Sequence, residues 1–340
     1  MRDSSSYIQP TGDLNTVRMG LARNCAALPR AFYSALERCV LGSPKQLLTA
    51  CSRSHQVGLL GESLELSSLS QLTPPWLMES IEKINATNRL LFDVFETTCL
   101  ELEYLCSLVD LTPVRIKGLS ACRRLYADIG SRPVRDIDVL IERGNAEALY
   151  KIALTLGFVQ GRFDSLTQTI VPVSTSIDLN SDYEFPRMVR AVQIDGDKND
   201  ILDVFRHEEE SKYFFEAENP LVVYVPLEIH FDLDLPGRIP WRGSKEVDLP
   251  DQKWHHLLED DEVLYLCFKA YADIEIYRKA KGIKLISDIH RLLRRSNCHT
   301  DQPMLRARAL QHGLQVPVDW VLQFLGKQPD ATCVYGGLES

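Results

Sequence analysis

The hydrophobic period of the chain changes once, near Pro113, and that change limits the fold more than any other feature. Ahead of it, following Pro74-Pro75, Leu77, Ile81, Ile84, Leu91, Val94, Phe95, Leu102 and Leu105 recur at threes, fours and sevens. This spacing predicts one long helix with a single apolar face. Residues 16–40 also carry helical spacings, broken at Pro29, whereas the Ser-, Leu- and Gly-rich stretch from Gly58 to Pro75 reads as a loop or short buried turn. Beyond Pro113 short strand patterns at 114–117, 136–141, 189–194, 201–205 and 222–233 interleave with helical ones at 120–129 and 145–156. After Pro250 the pattern is helical again, at 261–272, 283–295, 304–313 and 318–325. The expected class is α+β, a mixed α/β sheet core between helical flanks. Its expected divisions are an N-terminal helical region 1–112, a catalytic α/β domain 113–250 and a C-terminal helical region 251–340.

Composition narrows the function classes. With 45% hydrophobic and 25% charged residues in 340, the chain can bury one large core or two medium ones. Lys and Arg number 38 against 47 Asp and Glu, a formal charge of −9 that disfavours a long nucleic-acid partner. No apolar run approaches the length of a membrane span, and the first residues lack the apolar core of a secretory signal. Nine scattered cysteines with no C-x-x-C pair suit reduced thiols, so a cytoplasmic location is expected and a zinc site is not.

The chemistry concentrates in Lys117-Gly-Leu-Ser120 and in Arg132-Pro-Val-Arg135-Asp136-Ile-Asp138. Side chains two apart on a strand share a face, so Asp136 and Asp138 project together while Ile137 and Val139 turn to the core. Carboxylates that close repel unless a cation lies between them, and hard oxygen donors suit Mg²⁺ or Mn²⁺. A strand that ends at Gly118 and turns into a helix near Ser120 offers backbone N–H groups to phosphate. Lys117, Arg132 and Arg135 could add cationic contacts. A third carboxylate is expected from a neighbouring strand. Pro226 to Asp234 alternates strictly, with Glu228, His230, Asp232 and Asp234 on one face, and Glu228 is preferred over its rival Asp203.

Each feature has a plainer reading. Asp-Ile-Asp occurs on many half-exposed strands, and Glu228 with His230 could be a solvated face. Asp288 and Arg291 could be an ordinary helical pair. His230 reads as a partner behind the ligands rather than a ligand itself. The Asp pair draws its weight from following both an Arg-rich turn and a strand-Gly-helix unit.

Taken together, Lys117-Gly118, the Arg132 to Asp138 run and Leu227-Glu228-Ile-His230 resemble an uncharacterised nucleotidyltransferase family of the DNA polymerase β-like superfamily. The segments 261–271 and 285–293 resemble the helical region that follows its catalytic domain, so the likeness spans roughly residues 80–295. The resemblance implies a two-metal enzyme in which Asp136, Asp138 and Glu228 hold Mg²⁺ or Mn²⁺ and Gly118 with Ser120 holds the triphosphate. Leu119 departs from the superfamily pattern by standing between that glycine and serine. The implied reaction passes a nucleoside monophosphate from an NTP to a small-molecule or protein acceptor and releases pyrophosphate. The alternatives are a non-catalytic nucleotide-binding or scaffold module, and a metal-dependent kinase.

Overall fold

Pro75 opens the longest element, helix α5 (Pro75–Ser107), because a proline in the first turn forfeits no helical hydrogen bond. The computed structural model describes residues 11–23, 30–164, 169–172, 187–194, 214–216, 221–233, 243–249, 252–294 and 302–326. Ahead of α5 come α1 (Thr11–Arg23), α2 (Arg30–Gly42), α3 (Pro44–Arg53) and α4 (Val57–Leu66). Helix α4 and the 3₁₀ turn Ser68–Leu72 occupy the stretch read from the sequence as a loop. Val57, Leu59, Leu60 and Leu64 are all buried. With Gly58, Gly61 and Ser63 buried beside them and exposure confined to Glu62, Glu65 and Leu66 near its end, this short helix carries only a weak amphipathic signature.

Beyond Pro113 the elements are β1 (Val114–Arg115), α6 (Gly118–Leu125), β2 (Ile137–Leu140), α7 (Ala146–Thr155), β3 (Val159–Asp164) and β4 (Thr169–Pro172). They continue as β5 (Met188–Ile194), β6 (Phe214–Glu216), β7 (Leu221–His230), β8 (Ser244–Leu249) and β9 (Gln252–Leu257). One mixed sheet runs β4-β3-β5-β7-β2-β1-β9-β8, with β6 also on β7. Strand β2 lies parallel to β7, and β1 parallel to β9; the remaining pairs are antiparallel. Pro226 falls in the gap between the β7 residues paired to β6, Leu221–Val223, and those paired to β2, Leu227–His230. Residues 252–257, expected to open a helical region, instead extend the sheet; the strand expected at 201–205, with Asp203, lies outside the described residues.

The last helices among the described residues are α8 (Glu259–Tyr271), α9 (Ile283–Arg294), α10 (Gln302–Gln311) and α11 (Gln315–Gly326). Two apolar clusters divide the interior. On one face of the sheet Ile137, Val139, Leu227 and Ile229 pack with Phe92, Phe95 and Leu102 of α5 and Leu149 of α7. The second cluster joins Leu21, Leu36 and Leu60 of the early helices to Leu266, Ile286 and Val321 of the late ones. The helices before and after the sheet therefore share a core, and the cleft opens where they meet the strand ends. The fold is mixed α+β, a sheet core flanked by N- and C-terminal helices.

Candidate active site

Parallel pairing of β2 with β7 sets Asp138 directly opposite Glu228, and Leu140 opposite His230. Because alternate residues share a face, Asp138, Glu228 and His230 converge while Ile137, Leu227 and Ile229 stay in the core. One ligand atom from each of these three lies within 4.8 Å of the others. His230 Nε2 is 3.0 Å from Asp138 Oδ1 and 3.7 Å from Glu228 Oε2.

Two basic side chains rest on these carboxylates. Lys117 Nζ is 2.9 Å from Asp138 Oδ1, and Arg187 pairs with Glu228 while lying 4.0 Å from Asp136 Oδ2. Burial pushes the Asp138 carboxyl up, but the charge of Lys117 and the hydrogen bond and charge of His230 outweigh it and hold the group below the ordinary carboxylate range. Lys117 takes φ of 53° immediately before α6, a region costly for a side chain. Its ammonium also faces the Tyr265 ring at 5.4 Å.

The other expected residues take varied places. Asp136 is half-buried just ahead of β2 and lines the same cleft as Asp138 and Glu228; Gly118 does so too. Ser120 is fully buried in α6, where its hydroxyl accepts from Arg124 at 3.2 Å. Arg132, only 2% exposed, donates to both oxygens of the fully buried Asp288, with a shortest distance of 2.6 Å. Tyr126 adds its hydroxyl to Asp288 at 2.8 Å. Arg135 is buried and donates to Asn88 Oδ1 at 3.3 Å and to the Val134 carbonyl at 3.0 Å.

The cleft itself has a volume of about 370 Å³. Its far wall is basic and comes from the late helices: Lys269 of α8, then Lys279, Lys281 and Lys284 around the start of α9. His55, from the turn between α3 and α4, completes it. Sequence reasoning passed over these residues. The only local signal is three lysines in six positions around Gly282, far along the chain from the acidic strands.

The residues present fit a divalent cation. Two carboxylate oxygens and an imidazole nitrogen converge, with Asp136 in the same cleft, a set rich enough in hard donors for Mn²⁺ or Mg²⁺. Paired strand carboxylates beside a basic cleft are the arrangement that phosphoryl or nucleotidyl transfer requires. Consistently, the family model for an uncharacterised nucleotidyltransferase matches residues 43–327, and the chain belongs to that family. No relative is found among curated proteins.

Proposed function

We propose that the protein is a metal-dependent nucleotidyltransferase that moves a nucleoside monophosphate from an NTP to a small-molecule or protein acceptor. The observation that carries this reading is the convergence of Asp138 and Glu228, backed by the buried His230, in a cleft that the lysines of the late helices also line. Asp136, Asp138 and Glu228 would hold the cation, assisted by His230, and its chemistry there is neutralisation of charge building at the α-phosphate.

The reaction is an in-line displacement. An acceptor oxygen forms its bond to the α-phosphorus as the bond to the bridging oxygen of the β-phosphate breaks. Pyrophosphate leaves with that electron pair, and the acceptor's proton passes to Glu228, which is more accessible than the Asp138 it converges with. Gly118, at the first turn of α6, presents backbone to the nucleotide, and Arg135 lies along the same cleft.

The acceptor is set by the helical walls, and the overall charge of −9 favours one smaller than a nucleic acid. The six described cysteines are buried free thiols, which suits the cytoplasm. Among the described residues no helix is long and apolar enough to cross a membrane. Labelled NTP tests the reading: metal-dependent transfer with pyrophosphate release, lost in Asp138→Ala, is expected. Release of nucleoside diphosphate instead would make the protein a kinase, and Mg²⁺·NTP binding with no turnover across an acceptor panel would make it a binding module.

A further inference from the structure

Eight basic side chains line the cleft against four acidic ones, in a chain whose net charge is −9. Half of these cations are already paired with a carboxylate, and Arg135 is taken up by Asn88 and the Val134 carbonyl. Arg132 is held by the buried Asp288, Lys117 by Asp138, Arg187 by Glu228, and Lys279 lies 3.7 Å from Asp273. Lys281 and Lys284 differ: among the described residues neither has a carboxylate within ion-pairing distance, yet both line the same cleft as Asp136.

The turn at α6 offers less to a polyphosphate than its sequence promises. The Ser120 hydroxyl is fully buried, engaged by Arg124, and does not line the cleft. The cations left for an anion therefore sit on the opposite wall. We infer that Lys281 and Lys284, at the start of α9, bind the β- and γ-phosphates of the nucleotide, so that the C-terminal helical region grips the polyphosphate while β2 and β7 hold the reacting α-phosphate. The inference takes the identity of its ligand from the nucleotidyl-transfer reading.

Two neighbouring groups report the same positive field, which Asp136 and Asp288 offset only in part at Lys284. The Lys284 ammonium is pushed down to about 8, by burial first and then by Arg132 and Arg135. His55 is driven well below its ordinary value by burial and then by Lys284, Arg135, Lys281 and Arg132. Holding like charges together in a partly desolvated wall is unfavourable until an anion joins them. Gly282 fixes the geometry, because a Cβ there would come within 2.8 Å of Asp273 Cβ and 2.9 Å of Ile274. Close packing of that turn on the preceding segment keeps Lys281 and Lys284 aimed into the cleft.

Calorimetric titration of the full chain with inorganic tripolyphosphate in EDTA tests the assignment without metal or turnover. Lys281→Met and Lys284→Met are each expected to weaken binding about tenfold or more, with Lys284→Arg retaining most of it. Asp138→Asn, which removes a negative charge from the opposite wall, should bind tripolyphosphate at least as well as the wild type. Because Lys281 is exposed, its substitution leaves the core alone and gives a result even where Lys284→Met does not fold. Undiminished tripolyphosphate binding in Lys281→Met and in the double variant would overturn the inference. Lysine-dependent binding with no nucleotidyl transfer to any acceptor would leave it standing and remove the catalytic reading instead.

Discussion

Lys117 Nζ sits 2.9 Å from Asp138 Oδ1, placing an ammonium where the sequence argues for a cation between carboxylates. Repulsion among Asp136, Asp138 and Glu228 is thus already offset within the chain, by Lys117 on one and Arg187 on the others. Asp138 is consequently a member of an ion-paired, hydrogen-bonded group and not merely one of two like charges. Entry of a divalent cation must compete with Lys117, which has the cleft and the Tyr265 face as alternatives.

Replacing Asp138 by Ala should therefore abolish the proposed metal-dependent transfer and also cost stability. Lys117 and His230 lose a buried partner, a loss of about 3 kcal/mol by analogy with broken buried ion pairs. Asp138→Ala should melt below the wild type, and Lys117→Met in the same background should recover part of the difference. A melting temperature for Asp138→Ala equal to or above the wild type would mean that repulsion, not pairing, dominates the site.

Arg132 and Asp288 are the second pair whose loss should be severe. Both are essentially inaccessible, and Arg132 approaches both carboxylate oxygens while Tyr126 donates to the same group. Removing either partner strands a buried charge at a cost of about 3–5 kcal/mol, whereas removing both together costs less than the sum. Denaturant unfolding of Arg132→Met, Asp288→Leu and the double variant measures this. An additive double variant would show that the pair does not act as a unit.

The acidic half of the site is legible in sequence because it is local. Asp138 and Glu228 sit in strands whose strict alternation dictates which side chains share a face, and parallel pairing brings them level. The long α5 is legible for the same reason, its apolar residues repeating on one face. Residues 57–66 are not, since their first five positions are all buried and only Glu62, Glu65 and Leu66 near the end reach solvent, which leaves little period to read. Strand β9 escapes because its buried residues, Trp254, His256 and Leu257, break alternation at the last position, and it joins the main sheet through β1, far back in the chain. The engagement of Arg132 by Asp288 and the lysine wall depend on contacts across some 150 residues, which no local pattern encodes.

Gly58 tests how tightly the early helices are clamped to the site. A Cβ at this position would fall 2.2 Å from Ser131 Cα, with the Ser131 carbonyl at 2.6 Å, and backbone there cannot swing aside as a long side chain could. Ser131 ends the 3₁₀ turn Ile129–Ser131 that leads directly into Arg132. Gly58→Ala should cost about 3 kcal/mol through overpacking and displace the Arg132 to Asp136 segment. Thermal unfolding and nucleotide affinity should fall together; a variant with wild-type values for both would show that the contact yields freely.

The charge of the lysine wall should be visible in the stability of the ligand-free protein. Lys284 titrates near 8 in the folded chain, against an ordinary value of 10.5, because burial and then Arg132 and Arg135 disfavour its charge. Between those two values the unfolded chain binds more protons than the folded one, so this group makes stability rise with pH across that window. Below about pH 8 the ammonium is charged in both states and its penalty is fully present. Wild-type melting temperature, measured against that of Lys284→Met, should therefore climb from pH 8 toward pH 10. Saturating tripolyphosphate neutralises the wall, restores the ordinary titration of Lys284 and should flatten the climb. Parallel wild-type and Lys284→Met curves in the absence of anion would show that the lysine is already compensated in the folded protein.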